Sequence, residues 1–191
     1  MGDVDQKRDA NSLIKKYFNK SKGKLEQAEK IAQQLAEEQG NHLQLADTID
    51  DLAKLYASQG KLEQAKEKIE ELRNIVPAQY FLDAFPGKLL YDPSLAGHAY
   101  GLLAGKYYIF HALWAIESSD ENDLRVGFDN LIKAFICFLY FTPHKNAWQA
   151  QINGPISKLK QNAQLFMMFT VYLQEKMNAN GELLAKILQI I

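Results

Sequence analysis

The hexapeptide GKLEQA occurs twice in this chain of 191 residues, first at Gly23–Ala28 and again at Gly60–Ala65. Extending the comparison to Leu35 and Leu72 retains seven identities in thirteen positions. The spacing of 37 residues falls within the range that is typical of helical-repeat architectures. The recurrence therefore predicts a stack of similar units. In each unit, the hexapeptide follows one helix and begins the next.

The second copy carries a clear helical pattern on both sides of its glycine. One apolar face precedes Gly60 and a second follows it, and Pro77 ends the second face. Gly60 supplies the positive φ at which a helix stops. A pair of short helices cannot bury both apolar faces by itself, so each pair needs neighbouring helices on both sides. This requirement predicts a solenoid. The first face comprises Ile49, Leu52, Ala53 and Tyr56, and the second comprises Leu62, Ala65, Ile69, Leu72 and Val76.

The 34 residues of Ala46–Gln79 resemble a tetratricopeptide repeat. Ile49 replaces the tryptophan that is commonest at its position, and Leu62 replaces an aromatic residue. Residues 9–41 resemble a weaker copy, with Gly23 in the turn and with Leu25, Ala28 and Leu35 matching. The resemblance implies antiparallel helical hairpins stacked as a short solenoid. In the second copy its matching residues are Leu52, Ala53, Tyr56, Gly60, Ala65, Ile69, Leu72 and Pro77.

The rest of the chain also reads as helices. Apolar spacing predicts helices over 94–116, 124–141, 156–177 and 183–191, with a break at Asn153–Gly154–Pro155. Glycines at 97, 101 and 105 predict a close helix approach. No segment alternates at period two, so we predict an all-α protein with a more hydrophobic C-terminal helical region.

Charge and aromatic content divide the chain into two parts. Residues 1–75 hold 27 of the 45 charged residues but three of the 21 aromatic ones. We therefore predict two repeats over 9–77, an ordered connector over 78–93 and a C-terminal helical region over 94–191. Residues 94–141 are a candidate degenerate third repeat, followed by capping helices.

Composition excludes several classes of function. A net charge of -1 gives no electrostatic reason to expect binding to nucleic acid. The most apolar stretch, residues 93–116, contains Lys106 near its middle, so we predict no membrane span. The charged first twelve residues do not resemble a secretory signal, and a single cysteine fits a reducing compartment. We expect a cytoplasmic protein.

The titratable residues do not form a recognisable catalytic or metal-binding pattern. The four histidines, His42, His98, His111 and His144, lack the spacing of a zinc helix. Cys137 lies in an apolar run without a neighbouring cation that would lower its pKa. We therefore predict no enzyme activity, no metal site and no cofactor.

The resemblance implies that a partner protein lies against the first helices of the repeats. In the second repeat, the exposed positions would be Asp47, Asp50, Lys54 and Ser58. This mixture favours a basic or mixed helix or peptide over a terminal carboxylate, and a purely solvated face explains the same residues equally well. With the resemblance, the partner-binding reading predicts an adaptor or scaffold.

Two other functions stay open at this point. A helical enzyme or binder of an apolar small molecule would use a pocket between the helices of 94–177, lined by Tyr107, His111, Trp114 and Phe138. A structural subunit would self-associate into a homo-oligomer through the aromatic C-terminal half, because amphipathic aromatic residues are enriched at interfaces.

Overall fold

Helices dominate the fold. The computed structural model describes residues 20–34, 36–38, 40, 42–82, 99–142 and 145–191. Within these residues 87% are helical and none forms a strand, which confirms the all-α prediction. The start of the weaker repeat copy predicted over 9–41, the greater part of the connector and the start of the helix predicted from Ser94 lie outside the described residues.

The chain divides into two compact units, Met1–Ile75 and Val76–Ile191. In the first unit, α1 comprises residues 20–34 and 36–38, and three shorter elements follow it. These are α2 (His42–Ser58), α3 (Leu62–Glu70) and α4 (Leu72–Ile75). Gly40 has a φ of 70° and donates its N–H to the carbonyl of Ala36, so it lies in the turn between α1 and α2.

The turn predicted at Gly60 is confirmed in atomic detail. Gly60 has a φ of 70°, and its N–H donates to the carbonyl of Ala57 while the N–H of Lys61 donates to that of Tyr56. This pair of hydrogen bonds is the Schellman motif that ends helices at a glycine. Most of the predicted apolar residues are buried here, namely Ile49, Leu52, Ala53, Ala65, Ile69, Leu72 and Val76. Tyr56 is half-buried, and the predicted burial of Leu62 is wrong, because this first residue of α3 is 41% exposed.

The turn predicted at Gly23 is wrong. Residues 20–34 form continuous helix, so Gly23 lies inside α1, and its φ is not positive. The three described residues before Gly23 are already helical, whereas the helix before Gly60 has ended there. The same hexapeptide therefore continues a helix in one place and follows a turn in the other.

A charged cluster joins α1 to α3 within the first unit. The Nζ of Lys68 lies 2.8 Å from Oε1 of Glu29 and 2.8 Å from Oε1 of Glu71. Burial opposes the charged form of Lys68, but the two carboxylates outweigh it and raise the pKa of the ammonium above its usual value. The cluster stabilises the contact between α1 and α3, which are separated along the chain by α2.

The second unit is built around one long helical hairpin. A short 3₁₀ turn at Ala78–Tyr80 precedes it, and the hairpin consists of α5 (Ala99–Ile116) and α6 (Glu121–Phe141). Asp120 caps α6 by accepting hydrogen bonds from the N–H groups of Asn122 and Asp123. The remaining helices are α7 (Lys145–Gln161), α8 (Ala163–Met177) and α9 (Gly181–Ile190).

Glycines set the distance between α5 and α6. A Cβ on Gly101 would overlap Phe141, and a Cβ on Gly105 would lie 2.6 Å from Cδ1 of the buried Phe138 ring. Near the other end of the hairpin, a Cβ on Gly127 would lie 3.0 Å from the Cβ of Ala115. These pairings make the two helices antiparallel, and they confirm the close approach predicted from the glycine spacing.

Aromatic residues beside the 3₁₀ turn pack onto this hairpin. The Tyr80 ring lies 5.7 Å from Phe141, and the Phe81 ring lies 5.3 Å from Tyr107. The hydroxyl of Tyr108 accepts a hydrogen bond of 2.6 Å from the N–H of Leu82. Much of the aromatic content of this half therefore belongs to its own core.

The break predicted at Asn153–Gly154–Pro155 is wrong. Helix α7 continues through these residues to Gln161, and the chain breaks instead at Asn162. The side chain of Asn162 accepts a hydrogen bond from the N–H of Leu165 and so caps α8. Buried residues of α7 lie on both sides of Pro155. Ile152, Ile156 and Leu159 share one helical face, and all three are buried.

Helix α8 lies beside α6 and runs parallel to it. Leu124 and Met168 line the same cavity, while farther along both helices the Phe128 ring lies 5.7 Å from Tyr172. The Tyr172 hydroxyl donates a hydrogen bond of 2.5 Å to Asp129. This order of contacts leaves a groove between the two helices.

Candidate functional site

Helix α2 exposes a single polar face. Its exposed side chains after the first residue recur at helical spacing of three and four, and they alternate with the buried face. Three of them, Asp47, Lys54 and Ser58, are predicted partner-binding residues. The complete exposed set is Gln44, Asp47, Asp51, Lys54 and Ser58.

The predicted exposure of Asp50 is wrong. Asp50 is 2% exposed, and its Oδ2 lies 2.6 Å from the ammonium of Lys54. It lies next to Ala46 and Ala53, which are themselves fully buried, so it sits at the edge of the packed face. Asp51, which sequence reasoning left out, takes its place on the exposed face.

The charge of this face is negative. Lys54 is half-exposed, but its ammonium is paired with the buried Asp50 carboxylate. The exposed carboxylates of Asp47 and Asp51 are one helical turn apart on the α2 face. Ser58 adds a hydroxyl that donates to the carbonyl of Leu55 at the C-terminal end of the face.

The four residues predicted to line a pocket in the second unit do not occupy one place. The rings of Tyr107 and His111 lie 4.6 Å apart, and both residues are on α5. Phe138, on α6, lies opposite Gly105 of α5. Its ring stacks on that of Trp148, with ring centroids 5.8 Å apart. Trp114 is half-buried near the end of α5. The structure thus pairs Tyr107 with His111 and directs Phe138 to a different neighbour.

Phe138 does line a cavity, but with other partners. This cavity of about 430 Å³ is formed at the C-terminal end of α6 with α7 and α9. It is lined by Phe138, Leu139, Thr142, Trp148, Lys186, Gln189 and Ile190. A second cavity, of about 330 Å³, opens in the groove between α6 and α8.

Cys137 is placed as a core residue. It is fully buried, and burial raises the pKa of its thiol well above the usual range. Its Sγ lies 3.7 Å from the carbonyl oxygen of Tyr80, to which it donates a weak hydrogen bond. The same environment that excludes water from the thiol disfavours its nucleophilic thiolate form.

His42 lies exposed at the start of α2, and His98 and His144 lie outside the described residues. Within the part of the chain that the structure describes, no group of three or more His, Cys, Asp or Glu residues is arranged to hold a metal ion. Nor does any described helix combine the length and the apolar character needed to cross a bilayer.

Comparison of the chain with protein-family models, with curated proteins and with solved structures found no match.

Proposed function

We propose that this chain is a non-enzymatic adaptor that binds a basic peptide or helix of a partner protein on the exposed face of α2. The observation that carries the proposal is the negative charge of that face, on which Asp47 and Asp51 lie one turn apart beside an internally paired Lys54. A cationic partner gains favourable contacts along this face, whereas a terminal carboxylate is repelled.

The hairpin geometry supports a repeat scaffold of the tetratricopeptide type. The residues that the resemblance assigns to helix packing, including Leu52, Ala65 and Ile69, are fully buried, and Gly60 makes the turn between the two helices. Packing of this kind fixes α2 before a partner arrives. A preformed surface loses less conformational entropy on binding than one that must be ordered. The proposed setting is the cytoplasm, where the single cysteine stays reduced.

Charge reversal on α2 tests the proposal. Asp47→Lys combined with Asp51→Lys reverses the charge of the face at two exposed positions one turn apart. The matched control combines Glu63→Lys with Glu67→Lys, which makes the same change at two exposed positions one turn apart on α3. Partners captured from the native host by each protein are quantified by mass spectrometry.

We expect the α2 variant to lose partners that the wild type and the α3 control both retain. Capture by the wild type should also weaken as the salt concentration rises, because ions screen exposed charges. Retention of the same partners by the α2 variant would contradict the proposal, as would equal losses in both variants.

A further inference from the structure

The groove between α6 and α8 exposes apolar side chains to solvent. Met167 is 62% exposed and Val171 is 49% exposed, and the two lie one turn apart on α8. Its walls also include Leu124 and Phe128 from α6 and Met168 from α8. Contiguous exposed apolar surface of this kind marks an interaction site more often than a scattered apolar residue does.

The shape of the groove fits a third helix. Two parallel helices leave a channel along their axis, into which the side chains of another helix can insert. The cavity of about 330 Å³ is at the lower end of the range for binding pockets. Methionine side chains are flexible and polarisable, so Met167 and Met168 can adapt to aliphatic side chains of differing shape.

A hydrogen bond and an aromatic contact join the two helices that form the walls of the groove. The Tyr172 hydroxyl of α8 donates to the Asp129 carboxylate of α6 at 2.5 Å, and the Phe128 ring packs 5.4 Å from Phe169. These contacts fix the spacing of the two helices beside the groove. A partner therefore meets a groove that needs little rearrangement.

Charge at the rim selects the polarity of the partner. Arg125 lies 3.0 Å from Glu121, so this cation is paired within the groove lining. Glu175, the other carboxylate of the lining, makes no ion pair with any described residue. The lining thus carries two carboxylates and one guanidinium. The carboxylate left over is that of Glu175, one helical turn from the exposed Val171.

We propose that this groove binds an amphipathic helix of a partner protein, with aliphatic side chains against Met167, Met168 and Val171 and a lysine or arginine opposite Glu175. Helices recognised in this way present apolar anchors at positions i, i+3 or i+4 and i+7. The site lies wholly within the second unit, whereas the α2 face belongs to the first.

The groove can be probed directly through its methionines. Two of the four methionines, Met167 and Met168, line it, while Met177 is 4% exposed and lies outside it. The probe is a synthetic leucine–lysine amphipathic helix of about 14 residues, or about four turns. A leucine–glutamate peptide with the same apolar face serves as the charge control. Methyl signals of the ¹³C-methionine-labelled full chain are followed while each peptide is added.

We expect the leucine–lysine helix to shift the Met167 and Met168 signals while the Met177 signal stays in place. Val171→Ser should weaken this binding about tenfold, because it removes an apolar side chain from the contact without adding charge. Val126→Ser is the matched control, since Val126 is 55% exposed on α6 and does not line the groove. Glu175→Lys should abolish the preference for the lysine peptide.

Three outcomes would overturn the proposal. The first is a failure of the leucine–lysine helix to shift the Met167 and Met168 signals. The second is an equal response to the glutamate peptide or an equal loss in Val126→Ser, which would show non-specific adsorption. The third is a shift of the same signals with protein concentration in the absence of peptide, which would assign the groove to a second copy of the chain.

Discussion

Three glycines of this chain do three different jobs. Gly60 adopts a positive φ in a turn. Gly23 lies within α1, where an added Cβ would meet no atom beyond the helix's own backbone within 4 Å, and Gly105 lies against the Phe138 ring. A side chain at each position meets a different constraint, because only the first is limited by backbone conformation and only the last by packing. Substituting each glycine by alanine separates these roles.

We expect Gly60→Ala to lower the free energy of unfolding by about 1–2 kcal/mol, because alanine disfavours the left-handed region. Gly23→Ala should raise it by about 0.5–1 kcal/mol, since alanine is the better helix former. Gly105→Ala should lower it by about 1–3 kcal/mol through overpacking against Phe138. Urea denaturation followed by circular dichroism measures all three changes.

The paired result at the two hexapeptides is the most informative. Loss of stability in Gly23→Ala would place a turn at that glycine and restore the first predicted hairpin. A Gly60→Ala variant as stable as the wild type would contradict the positive φ at the second.

Asp50 shows how far a helical pattern can be read at single-residue resolution. The periodicity identified the buried face of α2, but it could not say how far a neighbouring helix covers the edge of that face. Asp50 falls on this edge beside small residues, and it is buried with Lys54 as its ion-pair partner. The pair Asp47 and Lys54 could be placed on the exposed face from sequence, whereas the exchange of Asp50 for Asp51 required the packed structure.

The apolar periodicity predicted which segments are helical better than it predicted the residues at which each helix begins and ends. The hairpin α5–α6 and the short last helix follow from their apolar spacing. The Asn–Gly–Pro signal failed because the apolar face of α7 runs through Pro155 and its burial outweighs the local preference for a break. The sequence does contain a signal for the exposed pair Met167 and Val171, which are apolar residues four positions apart outside the core face of α8. It contains no signal for the residues of α6 that lie beside them.

The link between α6 and α8 gives a prediction with a defined pH dependence. Tyr172→Phe removes the hydrogen bond to Asp129 and should lower the free energy of unfolding by about 1 kcal/mol at neutral pH. Burial, and then the Asp129 hydrogen bond, raise the pKa of the Tyr172 phenol. As the pH rises through 10.0, the usual value for tyrosine, the unfolded chain loses this proton while the folded chain keeps it.

The stabilisation by Tyr172 is therefore fully present below about pH 10 and is lost at higher pH. Urea unfolding of the wild type and of Tyr172→Phe, at neutral pH and above pH 10, measures it. The difference between the two proteins should shrink at the higher pH. A difference that grows with pH would mean that the phenol is ionised in the folded protein.

For the whole molecule, the division of charge and aromatic residues along the chain agrees with the character of the two units. The first unit holds a charged cluster at Lys68 and thin helices, while the second buries rings around the α5–α6 hairpin. The all-α class followed from sequence because every strong pattern had helical period. The grooves and cavities did not, because each needs side chains from helices whose packing order no local pattern encodes.

Partner binding at the α2 face is tested most directly by photo-crosslinking from that face. A benzoylphenylalanine residue replaces Ser58, which is exposed on α2, and in the control it replaces Glu67, which is exposed on α3. After irradiation in the native host, we predict a covalent adduct from position 58 to a basic segment of another protein and none to that segment from position 67. The absence of any adduct from position 58, or the same adduct from both positions, would contradict binding at the α2 face.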